Sequence, residues 1–247
     1  MRHGILLMAI TLAVMAAPAR AELSAQRILD KADDHWDLRL KDSLVDLELL
    51  VYRESELRAT YKMTLKYQDT YHVLAETYYP PRNGGEKMLQ SGRKNFWLFL
   101  PNINKAVKIS EANSLSNSDF SNTDLLSPRL SHEYTATLLG EEKLRDVDAY
   151  KLELAANDET STYSKIVYWI KKDGFFPLRR DYYTFSGQLL KRLDMKAGNP
   201  ELKGMLDTFV MSSVLEKEKK TVLRYVKHTP GVKHPEDTFL PSGLMKR

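Results

Sequence analysis

Leu57-Arg58-Ala59-Thr60-Tyr61-Lys62-Met63-Thr64-Leu65-Lys66-Tyr67 alternates apolar with polar side chains along its whole length. A period of two puts the two sets on opposite sides of an extended chain, so the stretch predicts a strand with one buried and one wet face. Working outward, Val45, Leu47, Leu49 and Val51 alternate with Asp46, Glu48 and Leu50 just before it. Residues 70–79 follow, rich in Tyr, Thr and Val, and Pro80-Pro81-Arg82-Asn83-Gly84-Gly85 then makes a turn. Further short strands are predicted at 86–91, 95–100, 105–109, 132–139, 148–155, 163–171, 176–185, 188–195, 207–216 and 220–228. Lys172-Asp173-Gly174 and Ser186-Gly187 supply hairpin chemistry. Regular short strands with close turns imply a mainly β (α+β) protein with a meandering antiparallel sheet, curled or closed into a barrel.

Two segments break the pattern. In 24–37, Ala25, Ile28, Leu29, Ala32 and Trp36 follow helical spacing behind Ser24, which suits an N-cap. Residues 111–131 are Ser/Asn-rich and do not alternate, which predicts a loop leading into a short helix near 119–126. In that helix Asp119 reads as the N-cap and Asp124 as a residue of the exposed face.

The start of the chain sets the expected compartment. Arg2 and His3 precede an apolar run from Gly4 to Ala17, and Ala19 and Ala21 form the small-x-small pattern of a cleavage site. This reads as a signal peptide over 1–21, cleaved after Ala21. The run is shorter than the ~20 residues a bilayer core requires. Residues 22–247 are expected to form one soluble periplasmic domain. The chain has no cysteine, which excludes disulfides, thiolate metal sites and a lipid anchor on a cleavage-site cysteine. Lys+Arg number 37 against 33 Asp+Glu; the first 21 residues contain Arg2 and Arg20 and no acid, leaving 35 against 33. That near-balance, with no basic cluster or motif, gives no sign of nucleic-acid binding.

Catalytic patterns are missing. No Gly-rich phosphate loop, G-x-S-x-G or H-E-x-x-H occurs, and the histidines lack metal-ligand spacing. Ser118, Asp119 and His132 make a triad on paper only, with nothing to fix their geometry. The expectation is no enzyme, no metal and no cofactor. What the sequence does offer is greasy material. Asn95-Phe96-Trp97-Leu98-Phe99-Leu100-Pro101 is apolar on both faces, which suits either a strand covered on both sides or one whose second face lines a cavity. Tyr61, Met63 and Tyr67 suit an adaptable apolar site, though for any one of them ordinary core is the commoner role.

Taken together these residues resemble the LolA-like outer-membrane lipoprotein-sorting superfamily. The resemblance is closest to a subgroup of uncharacterised periplasmic proteins encoded beside RND or ABC exporters. It rests on Ala25-x-x-Ile28-Leu29-x-x-Ala32, on Trp97-Leu98-Phe99-Leu100-Pro101 followed by Lys105-Ala106-Val107-Lys108-Ile109, and on Ser114 to Ser118 before Asp119-Phe120-Ser121 and Asp124-Leu125. Pro235-Glu236-Asp237-Thr238-Phe239-Leu240 fits at the C-terminal end. The resemblance implies an incomplete antiparallel β-barrel of about 11 strands with helices over its concave face, enclosing a cavity for the acyl chains of a lipid or lipoprotein. It also implies an inner-membrane RND or ABC transporter as partner, delivery toward the outer membrane, and only transient membrane contact. The residues expected to line the cavity are Leu47, Leu49, Tyr61, Met63, Leu65, Trp97 and Phe99. Phe120, Leu125 and Leu126 are expected on a lid. Carriers of this superfamily latch the lid with a basic residue inside the cavity, and no position of this sequence is matched to it. The alternative reading is an accessory or sensor module that docks on an exporter, or senses envelope lipids, without carrying cargo.

Overall fold

The alternation expected over 57–67 is realised from Tyr61 onward in a 14-residue strand, where Tyr61, Met63, Leu65 and Tyr67 are buried and the residues between them partly wet; Leu57, beyond the register shift opposite Val51 and Tyr52, is 53% exposed instead. The computed structural model describes residues 23–126, 129–202, 204–216 and 218–245; the signal-peptide reading of 1–21 lies outside the described residues. The strands are β1 (Ser43–Arg53), β2 (Glu56–Asp69), β3 (His72–Tyr79), β4 (Lys87–Ser91), β5 (Phe96–Leu100), β6 (Lys105–Ile109) and β7 (Tyr134–Leu144). They continue with β8 (Val147–Ala156), β9 (Lys165–Lys171), β10 (Pro177–Tyr183), β11 (Leu189–Lys196), β12 (Thr208–Ser213) and β13 (Lys220–Pro230). All 13 form one antiparallel sheet in the order β6-β5-β4-β3-β2-β1-β13-β12-β11-β10-β9-β8-β7. The sheet is two strands longer than the expected eleven and is not closed, as an incomplete barrel requires. Pairing of β1 with β13 joins its two halves through Leu49 opposite Leu223.

The one long helix among the described residues, α1 (Ala25–Leu40), begins as expected: Ser24 Oγ accepts the Arg27 N–H at 3.3 Å. Ile28, Leu29 and Ala32 are fully buried against one face of the sheet, here called the inner face. Each such side chain gains about 1.5–3 kcal/mol from burial, which is what holds a helix onto a sheet. The short helix α2 (Asn122–Leu126) lies on the same core. The outer face carries a second, smaller cluster, in which Leu74, Leu89 and Phe99 are covered by Phe239 and Leu244. The coverers belong to the 3-10 turn Glu236–Phe239 and to the stretch just after a second turn, Pro241–Gly243. Residues 96–100 are therefore apolar on both faces for two reasons: Phe99 is covered on the outer face, while on the inner face Phe96 is buried in the core and Leu98 and Leu100 are only half-buried.

The two edges are treated differently. β6 exposes Lys105 and Lys108. β7 is interrupted by a bulge between Leu138 and Gly140, and the Gln26 side chain of α1 accepts the Ala136 N–H at 3.0 Å. Both are ways of blunting an unpaired edge.

Candidate functional site: the inner groove and its clasped segment

The loop expected at 111–118 folds as a small hairpin. Leu115 N–H donates to the Phe120 carbonyl at 2.8 Å, and Asn122 N–H to that of Asn113 at 3.0 Å. Ser116 and Asn117 turn it in the left-handed region, with φ of 49° and 54°. Helix α2 follows, started by Asp124, whose carboxylate accepts the Ser121 N–H at 2.7 Å. The outcome is a plug: Leu115, Phe120, Leu125 and Leu126 are all buried in the inner core, beside Tyr61 and Met63.

Charged groups then fasten the plug to the sheet. Arg53, at the end of β1, lies 2.9 Å from the Asp119 carboxylate and donates to the Asn117 carbonyl at 3.2 Å. The Thr221 hydroxyl of β13 donates to Asp119 at 2.6 Å and accepts the Asp119 N–H at 3.1 Å. Lys191 of β11 reaches Asp124 at 2.7 Å and the Asp119 carbonyl at 3.0 Å. This pair is nearly dry, with Asp124 2% and Lys191 11% exposed. Tyr163 donates to Asp124 at 3.0 Å, and the Lys191 ammonium sits 5.0 Å from the Tyr163 ring and 5.6 Å from that of Tyr182. Burial, helped by the neighbouring Asp124 charge, pushes the Tyr163 phenol well above its ordinary value, so it stays a donor.

Beyond α2 the chain is tied to α1. The Ser131 N–H donates to Asp33 at 2.7 Å, Gln26 donates to the Ser131 carbonyl at 3.3 Å, and Arg129 lies 3.3 Å from Asp34. Asp33 is fully buried. Desolvation raises its carboxyl to about 7, against the opposing pull of Arg180, the Ser131 hydrogen bonds and Arg129.

Beside the plug is an open groove of about 290 Å³. Its floor is a cross-strand row: Ala75 faces Met88, and Met88 faces Leu98, with Met63 beside them. Its mouth is polar, with Asn113, Ser114, Ser116 and Asn117 on the hairpin and Asn83 and Glu86 opposite. The rest of the inner face is filled by the protein's own side chains.

The expected cavity residues divide. Leu47 pairs with Met63, Leu49 with Tyr61 and Val45 with Leu65, so Leu47, Leu49, Tyr61, Met63 and Leu65 share the inner core, and Tyr61 and Met63 also line the groove. Phe120, Leu125 and Leu126 join them. Trp97 and Phe99 do not, and that expectation is corrected: they lie on the outer face with Leu74, Leu89 and Phe239. Phe96 enters the inner core and Leu98 and Leu100 line the groove. Parity cannot be read from a strand apolar on both sides.

Asp124 is likewise buried in an ion pair rather than exposed. Asp119 is held by Arg53 and Thr221 and is not the cap of α2. The paper triad is dispersed, with His132 on the Tyr71 hydroxyl at 2.5 Å and Ser118 Oγ accepting the Phe120 N–H at 3.1 Å. Among the described residues there is no group of three or more potential metal ligands, and no helix is long and apolar enough to cross a membrane. The basic residues of the clasp were missed. Their signal was parity: Arg53 continues the inward row 45, 47, 49, 51, and Lys191 shares its parity with the buried Leu193 and Met195.

A family model described as that of an uncharacterized protein matches residues 69–246. No curated protein matches the chain. Among solved structures, a LolA superfamily protein from Nitrosomonas europaea superposes with a TM-score of 0.78 at 23% identity, covering 88% of this chain and 98% of that one. A candidate outer membrane lipoprotein-sorting protein domain from Vibrio parahaemolyticus gives 0.78 at 23%, covering 90% and 98%. A DUF1329 family protein from Desulfovibrio piger gives 0.75 at 23%, covering 89% and 97%. The fold is thus LolA-like from end to end of those chains.

Proposed function

This chain belongs to the family of uncharacterized proteins whose model spans residues 69–246, and on that premise we propose that it is a periplasmic carrier that shields the acyl chain of a lipid or lipoprotein on the inner face of its sheet. The observation that carries the reading is the plug. Four apolar side chains are seated in the core, yet the segment bearing them is fastened by ion pairs and hydrogen bonds rather than by continuity with the sheet. Apolar contact is interchangeable between a leucine and an acyl chain, at about 0.8 kcal/mol per buried methylene. A plug of this kind can therefore be displaced by cargo and can displace cargo in turn. Its lid is 111–126, and Arg53 and Lys191 are the latch residues. Delivery toward the outer membrane, with an inner-membrane RND or ABC exporter as donor, completes the proposal. It assigns no catalytic step.

A second reading draws support from the filled inner face, which suits an accessory or sensor module that docks without cargo. Native mass spectrometry of the protein purified from its own periplasm, followed by lipid extraction, separates the two. A bound acyl species supports the carrier. An empty protein that also refuses fluorescent fatty acids and alkyl glycosides rejects it in favour of the module.

A further inference from the structure

We infer that the groove accepts a single-chain amphiphile with an uncharged headgroup rich in hydroxyl or amide groups; the inference rests on reading the inner face as a lipid site. Volume sets the number of chains. At ~30 Å³ per methylene, roughly the volume of one liquid water, the groove's 290 Å³ holds about ten methylenes of one chain. While the plug is latched, the space beside the groove is held by Leu115, which is buried, so a second chain finds room only if the plug leaves.

The lining sets the orientation. Met63, Ala75, Met88, Leu98 and Leu100 make an apolar floor for the tail, while Asn113, Ser116 and Asn117 ring the mouth with amides and a hydroxyl. Charge sets the headgroup. Lys87 borders the groove only with its stem: its ammonium lies 3.8 Å from Glu76 and 5.7 Å from the Phe99 ring, on the outer face. Glu86 is the one charged group left at the mouth among the lining residues, and it repels phosphate or carboxylate. A polyol or amide headgroup instead meets donors and acceptors it can pair with.

The test is calorimetric titration of the mature protein, below micelle-forming concentrations, with alkyl maltosides of 8 to 14 carbons. Decanoate, decyl phosphate, decyltrimethylammonium and dioctanoylglycerol serve as rivals. Maltoside affinity is expected to rise about fourfold per methylene up to about ten carbons and then to level. Decyl maltoside should bind at least tenfold tighter than each ten-carbon ion and than dioctanoylglycerol. Leu98→Trp, which fills the groove, should weaken it at least tenfold. A charged or two-chain probe binding as tightly as decyl maltoside, the absence of levelling, or unchanged binding by Leu98→Trp overturns the inference while leaving a lipid site in place. Failure of every probe to bind overturns the lipid site as well.

Discussion

Replacing Lys191 by Met cuts the clasp where it is driest. The pair it breaks is 2.7 Å long, with Asp124 2% and Lys191 11% exposed. Removing one partner of a buried ion pair costs about 3–5 kcal/mol, because the survivor remains desolvated and unpaired. Here Asp124 keeps the Tyr163 hydroxyl and the Ser121 N–H, which places the loss near the lower figure. About 3 kcal/mol corresponds to roughly 150-fold in an opening equilibrium. If the plug opens as a unit, the amides of Leu115, Ser118 and Asn122, whose hydrogen bonds lie within it, should exchange with deuterium roughly 150-fold faster. Amides of β1, β2 and β13 should keep their wild-type protection. The double variant Lys191→Met/Asp124→Leu removes both charges and should recover most of the lost protection. Equal acceleration across sheet and plug would show that the segment is core rather than lid. No acceleration anywhere would show that the pair holds nothing.

Other expectations follow from the same geometry. Phe120→Ala should cost about 3–5 kcal/mol in the closed state and loosen the plug, so that bound acyl probes leave faster; unchanged release rates would count against a lid. Phe99→Ala, on the outer face, should lower the denaturation midpoint yet leave amphiphile uptake unaltered, and a loss of uptake would reverse the face assignment. Asp33 gives a pH signature. Its carboxyl titrates at 3.8 when unfolded and at about 7 when folded, so between those values the folded state holds more protons and stability falls as pH rises through the window. Denaturant unfolding from pH 5 to 8 should show that decline, and Asp33→Asn should flatten it; an identical slope in the variant would remove Asp33 as its source. Mass analysis of the protein recovered from periplasm should find a chain beginning at Glu22, whereas retention of residues 1–21 would refute the cleavage reading.

Much of this architecture is visible in the sequence wherever one face of a strand is dry. Residues 61–67 state their parity outright, although Leu57 of the same run ends up exposed, and the breaks at Gly174 and Gly187 mark hairpins that need positive φ, 76° and 80°. The strand ends at 86–91 and 105–109 fall within a residue of those observed. Three things were less legible. Strand β5 is apolar on both sides, so alternation carries no information about which side holds the plug, and Trp97 and Phe99 were set on the wrong one. The five-residue α2 is too short for a period to develop, so Asp124 looked solvent-facing. The clasp joins residues 66 to 102 positions apart, and no local pattern encodes such partners. A cation at inward parity, as at Lys191, still marks a place where the fold must supply an acid.

Leaving the sheet unclosed admits the plug, and it also leaves two strands with a free row of backbone groups. Lysines on β6, the bulge in β7 and the borrowed amide of Gln26 act as guards against strand addition by a neighbour. The Gln26 guard on β7 is conditional, because it belongs to α1, which is tied through Ser131 to the stretch behind the plug. An event that lifts plug and helix together would therefore bare an edge as well as a greasy interior. If the protein carries cargo as proposed, self-association would then compete with loading, and the quantity that limits it is how briefly it stays open.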